Sequence, residues 1–165
     1  MNPFGSVKKR KIGLSKVDRI RTRLKISREL RGTTIYTRRY VMPGTPNFSL
    51  AEFGCNCGCG ENKIKIDLLQ ALQEVRDVLD DPMTITSGYR CEQHNQTVGG
   101  KPSSSHLKGW AADIAIPSSS YAYDIMEALF ETKRFHRIGY GKMNGQLVLH
   151  VDIDIDKAPR VMWGY

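Results

Sequence analysis

From Asp67 onward, Leu68, Leu72, Val75 and Leu79 recur at three- and four-residue intervals. That spacing lines one face of an α-helix. Asp67, with Gln70 three positions later, supplies a capping signal for its start, and Asp81-Pro82 stops it. A second helix is predicted over residues 121–132, carrying Ile125, Met126, Leu129 and Phe130. Strands are predicted at 84–86 and 110–116, separated by a polar, Gly- and Ser-rich segment from Cys91 to Ser105 that reads as loop. Residues 137–143 and 146–155 flank Asn144-Gly145, the strongest short-range hairpin signal. Helices mixed with hairpin-linked strands in this order predict an α+β fold with a small, mainly antiparallel sheet and flanking helices.

Alternation along the strands sorts the side chains by face. In the last strand Leu147, Leu149, Val151 and Ile153 form an apolar set, while Val148, His150, Asp152 and Asp154 point the other way. His150 and Asp152 therefore lie on one surface, roughly 7 Å apart along the strand. In the central strand Ala111, Asp113 and Ala115 share a face, opposite Ala112, Ile114 and Ile116. A buried carboxylate among small residues is costly unless it is paired or metal-bound. His106 lies seven residues upstream, at the end of the Ser103-Ser104-Ser105 loop.

Composition changes the picture mainly through charge. With 40% hydrophobic and 25% charged residues the chain has an ordinary globular balance, which excludes fibrous and wholly disordered classes. The net charge of +8 is uneven. Residues 1–45 hold 13 Lys/Arg against Asp18 and Glu29, a balance of +11, and the remainder holds 12 against 15, a balance of −3. The chain thus divides into a basic arm and linker, residues 1–46, and a compact domain, residues 47–165. Within the arm, Ser15-Lys16-Val17-Asp18 resembles a capping box ahead of Val17, Ile20 and Leu24, so a basic helix is expected there. An extended segment is expected over Thr33-Thr34-Ile35-Tyr36-Thr37, before the Met42-Pro43-Gly44-Thr45-Pro46 linker. Such an arm suits an anionic partner such as nucleic acid, a wall polymer, lipid headgroups or an acidic protein surface; a solvated tail is the alternative. No stretch approaches the roughly 18 apolar residues of a spanning helix. The first residues lack the apolar core of a secretory signal, so export by that route is not expected.

Two histidines and an aspartate, His106, Asp113 and His150, make a three-ligand set for zinc with a fourth position open. A satisfied core histidine and a turn-capping aspartate would explain them separately. Their context adds more. Ser87-Gly88-Tyr89-Arg90, His94-Asn95, Val98-Gly99-Gly100, Ser105-His106-Leu107-Lys108-Gly109, Ala111-Ala112-Asp113-Ile114 and His150-Val151-Asp152 occur in one order. Together, from about Phe48 to the C-terminus, they resemble the zinc D-alanyl-D-alanine carboxypeptidase family of murein peptidases, in the branch found in bacteriophages and prophages. The resemblance implies the hedgehog-like zinc peptidase fold, zinc on His106, Asp113 and His150, and cleavage of peptide bonds in the peptidoglycan stem or cross-bridge. It also implies that Arg90 contacts substrate, where its fork suits a carboxylate or a developing oxyanion. Ser105 is a second substrate-contact candidate.

Relatives carry an acid three residues before the last histidine, and here that position is Leu147. Asp152, on the same face as His150, is assigned as the general base, with an orienting carboxylate as the equal alternative. His94 is a further candidate base, an exposed loop histidine being its simpler explanation. Cys55-x-Cys57-x-Cys59 and Cys91 are assigned a structural role, as thiols, disulfides or a structural metal site; four cysteines permit three pairings. Trp110, Trp163 and Tyr165 are expected in the core ahead of a cleft wall. The resulting expectation is a zinc peptidoglycan peptidase, endopeptidase or carboxypeptidase, carried in a phage virion as a tail component or held in the host cytoplasm before release. Residues 1–45 would dock on phage structural proteins. A non-catalytic zinc-fold tail or wall-binding component is the alternative, and nucleic-acid binding is the least favoured.

Overall fold

The computed structural model describes residues 44–143 and 145–165. The arm helix, the extended segment at 33–37 and most of the linker lie outside the described residues. Helix α1 spans Ile66–Leu79, β1 Ile85–Ser87, α2 Glu92–Thr97, β2 Ala111–Ala115, α3 Ser119–Thr132, β3 Arg137–Met143, β4 Gln146–Asp152 and β5 Val161–Gly164. Two 3-10 turns, Leu50–Phe53 and Ser105–Lys108, complete it. The strands form one sheet in the order β1-β2-β4-β3-β5. All neighbours are antiparallel except β3 and β5, which run parallel. The architecture is α+β, as the mixed periodicity predicts.

The apolar faces behave as their spacing demands. Leu68, Leu69, Leu72 and Val75 of α1 and Ile125 of α3 are fully buried, and the two helices pack against each other. Ala112 and Ile114 of β2 and Leu149 and Val151 of β4 form the buried apolar face of the sheet. Ser118 caps α3, its Oγ accepting from the Tyr121 N–H at 3.2 Å. Phe130, one of the four apolar residues that mark that helix in the sequence, is exposed.

Three features differ from the sequence reading. Helix α1 starts one residue before Asp67, with Lys65 as its N-cap and no side-chain cap. The Lys65 N–H donates to the Gly109 carbonyl at 3.0 Å, so a tertiary bond sets the start. Gly109 allows this approach: its φ is +73° and a Cβ there would lie 2.1 Å from the Lys63 carbonyl oxygen. The Cys91–Ser105 segment contains α2, six residues without an apolar stripe, started by Cys91 Sγ accepting from the His94 N–H at 3.4 Å. Strand β5 has no sequence forecast; it is short, on an edge, and its partner β3 is the first strand of the hairpin, separated from it in sequence by β4.

Candidate metal centre

The polar face of the sheet carries one transverse row of residues. Ser87 pairs with Asp113 across β1 and β2, Asp113 with His150 across β2 and β4, His150 with Gly139, and Gly139 with Trp163. Pairing in one register brings side chains two strands apart into a single site. Asp113 and His150 are direct cross-strand partners in mid-strand, and the Ser105–Lys108 turn lowers His106 onto them. Ser104 fixes that turn, its Oγ accepting from the His106 N–H at 3.3 Å.

Three donor atoms converge. His150 Nδ1 lies 2.9 Å from Asp113 Oδ1, His106 Nε2 lies 3.2 Å from the same oxygen, and the two ring nitrogens are 3.1 Å apart. Ligands of a tetrahedral zinc with bonds of ~2.0–2.1 Å stand about 3.3 Å from one another. The outer nitrogens decide the tautomers. His106 Nδ1–H donates to the Gly88 carbonyl at 2.6 Å, and His150 Nε2–H donates to Asp152 Oδ2 at 3.2 Å. With both protons committed outward, two nitrogen lone pairs and a carboxylate oxygen face one another. A metal ion would reconcile three acceptors at that distance, and the residues present fit zinc.

The electrostatics agree. Burial pushes His106 down and keeps it neutral. Burial also opposes a charge on His150, but its bonds to Asp113 and Asp152 outweigh that and raise it. Burial opposes ionisation of Asp113 as well, yet the two imidazoles outweigh it and hold the carboxyl far below the usual range. There is room for one extra proton between the rings, and His150, bracketed by two carboxylates, is the ring that holds it. A metal ion takes that proton's place.

The other sequence candidates fall at distinct positions. Arg90 is buried, with Nη2 on Asp113 Oδ2 and Nε donating to Ser87 Oγ at 2.9 Å. It therefore grips the ligand aspartate from behind. Asp152 is 1% exposed, and its Oδ2 accepts from His150 and from Arg137 Nε at 3.2 Å, while Oδ1 accepts from the Asp154 N–H at 3.2 Å. It meets the His150 ring at Nε2, the nitrogen opposite the one that faces the other two donors. Burial raises its pKa, but His150, the Asp154 N–H and Arg137 bring it below the ordinary value. The Ser105 hydroxyl is buried and donates to Asp154 Oδ2 at 3.0 Å. Lys108 Nζ holds the same carboxylate at 3.2 Å. His94 lies on α2 and is not among the three donors.

Arg137 and Gly139 were not singled out in the sequence, and Trp163 only as a core or cleft aromatic. Trp163 lies over Gly139, where an added Cβ would come within 2.7 Å of the indole, and its ring is 5.5 Å from that of His150. The Arg137 guanidinium lies 5.3 Å from the same indole. Trp163 is half-buried and Tyr165 exposed, so β5 forms a wall beside the centre and not the core expected of its aromatics. Trp110, also half-buried, carries Lys65 Nζ at 5.7 Å from its ring centre.

No helix among the described residues is long and apolar enough to cross a membrane. A comparison with curated proteins gave no match. The sequence pattern described as peptidase M15 matches residues 46–152. That span is well over half of the chain and includes all three donors, Arg90, Ser105, Asp152 and the four cysteines, and it ends before β5. A three-donor set that can hold a metal ion thus sits inside the matched region, and the chain belongs to the peptidase M15 family of zinc-dependent metallopeptidases.

Proposed function

We propose that this protein hydrolyses peptide bonds of bacterial peptidoglycan, with zinc held by His106 Nε2, Asp113 Oδ1 and His150 Nδ1. The observation that carries the reading is the three-membered donor set. Structural zinc sites close with four protein ligands, whereas catalytic sites keep three and leave a position for the reaction. A zinc ion bound there supplies Lewis acidity for the scissile carbonyl and a water nucleophile near neutral pH. The protein's own groups do the positioning. Gly88 and Asp152 fix the two imidazoles, the imidazoles hold Asp113 ionised, and Arg90 orients it. The substrate contact that the family resemblance implies for Arg90 is part of this proposal, and the β5 wall with Trp163 shields the His150 side. The phage setting and the docking role of residues 1–46 belong to the same proposal; the ordered motif blocks and the basic arm support them.

Leu147, standing where relatives carry an acid, favours a second reading, a wall-binding component that keeps the zinc fold without turnover. Purified peptidoglycan incubated with the protein separates the two. Soluble peptides or D-alanine identified by mass spectrometry, lost on chelation and restored by zinc, are the expected result. Zinc binding with retention on the wall and no released product would establish the second reading.

A further inference from the structure

The four cysteines gather outside the centre just described. Cys55, Cys57, Cys59 and Cys91 place their sulfurs within 4.8 Å of one another. Cys55 Sγ lies 3.4 Å from Cys57 Sγ, and Cys57 Sγ lies 3.7 Å from Cys91 Sγ. Four thiolates around zinc, at bonds of ~2.3 Å, stand about 3.8 Å apart. Backbone N–H groups point at three of the sulfurs: Cys91 to Cys55 at 3.3 Å, His94 to Cys91 at 3.4 Å and Glu61 to Cys59 at 3.5 Å. Donors aimed at sulfur favour thiolate over thiol.

We infer that these four sulfurs form a second, structural metal site that takes one zinc or a similar thiophilic divalent ion. Disulfides satisfy the arrangement less well. Three of the cysteines share one five-residue loop and only Cys91 lies outside it, so pairing all four confines one bridge within that loop. A tetrahedral ion takes all four at once. The donor count separates the two centres: three nitrogen and oxygen ligands leave a position open, and four sulfurs close the shell.

The location gives the ion a task. The Tyr89 N–H donates to the Phe53 carbonyl at 2.8 Å, and Asn56 Nδ2 donates to the Thr86 carbonyl at 2.9 Å, so the cysteine loop lies along the β1–α2 turn. Cys91 directly follows Arg90, whose N–H donates to the His106 carbonyl at 3.2 Å and whose side chain grips Asp113. The ion clamps the loop to the segment that aims Arg90, and it supports the catalytic centre without touching substrate.

The test is elemental analysis of the purified full-length chain together with the absorption of its cobalt-substituted form. Expected are two zinc ions per chain and intense sulfur-to-cobalt charge-transfer and tetrahedral d–d bands. The His106→Ala/His150→Ala variant should keep one zinc and the full cobalt–thiolate absorption. Cys57→Ser/Cys59→Ser should lose both. Should that variant fail to fold, native wild-type protein answers the question: alkylation of the cysteines should be slowed at least about tenfold until a chelator is added. Wild-type protein with one zinc and four freely alkylated thiols would overturn the inference. So would an intact mass short of hydrogens by disulfide formation, or cobalt bands unchanged in the cysteine variant.

Discussion

Asp152 is placed to orient His150, and the proposed role is that of a positioning carboxylate. Its Oδ2 takes the proton-bearing nitrogen of His150, and that contact, with the Asp154 N–H and Arg137 adding to it, keeps the carboxylate ionised. Removing such a partner typically costs about 10–100-fold in metal affinity. Asp152→Asn should therefore weaken zinc binding by about that factor in competition with a chromophoric chelator. Activity should return when zinc is added in excess. A variant that holds zinc normally yet loses hydrolysis would instead make Asp152 the base. His150 sets the pH dependence. Its pKa is raised, so in the metal-free protein the protonated ring stabilises the fold below about pH 6.5, and that contribution is lost as pH rises through the raised value. Zinc must displace this proton. Affinity should fall by about tenfold per pH unit of acidification below the raised value, starting at higher pH than for an ordinary imidazole. Much of this was legible in the residues. Alternation along β4 put His150 and Asp152 on one face, and the β3–β4 register sets Arg137 opposite Asp152 and Gly139 opposite His150. What alternation could not show is that the Asp152 oxygens point behind the imidazole.

Long periodic elements announce themselves and short ones are made by their neighbours. Helices α1 and α3 carry apolar stripes and appear where the spacing puts them, and Leu72→Ala in α1 should cost about 2–5 kcal/mol in chemical denaturation because the site is fully buried. Helix α2 has no stripe; it exists because Cys91 caps it and the buried Asn95 side chain ties it to the Lys101 carbonyl at 3.0 Å. Strand β5 depends on β3, and two glycines on that strand make its aromatic wall possible. A Cβ at Gly139 would meet the Trp163 indole at 2.7 Å, and one at Gly141 would meet the Tyr165 backbone oxygen at 2.3 Å. Gly139→Val should push Trp163 off His150, seen as a red shift in tryptophan emission, and lower hydrolysis by about tenfold or more, while α1 and α3 keep their helical signal. An unchanged emission spectrum would show that β5 does not need the glycine.

At the scale of the whole chain the charge is split, +11 on residues 1–45 and −3 on the rest. The −3 belongs to the part that carries the donor triangle, whose charges are matched residue by residue through Arg90, Arg137 and Lys108. The +11 has no such local match, since only Asp18 and Glu29 oppose 13 cations. Thirteen like charges on 45 residues repel in any compact isolated form, and a partner surface rich in carboxylates removes that cost. Long cationic side chains can bury their methylenes on such a surface while their heads pair. The arm's proposed task is therefore delivery, with a phage structural protein as its partner and catalysis left to residues 47–165. Removing residues 1–45 should leave hydrolysis of soluble peptidoglycan fragments within about twofold of the full chain, because the three donors, the positioning residues named above and all four cysteines lie beyond residue 45. The same deletion should abolish incorporation into particles, measured by immunoblotting of purified virions. Raising salt should weaken binding of the intact arm to its isolated partner, as expected of exposed charge pairs. Loss of hydrolysis with incorporation intact would place the arm in the working domain and end the docking proposal.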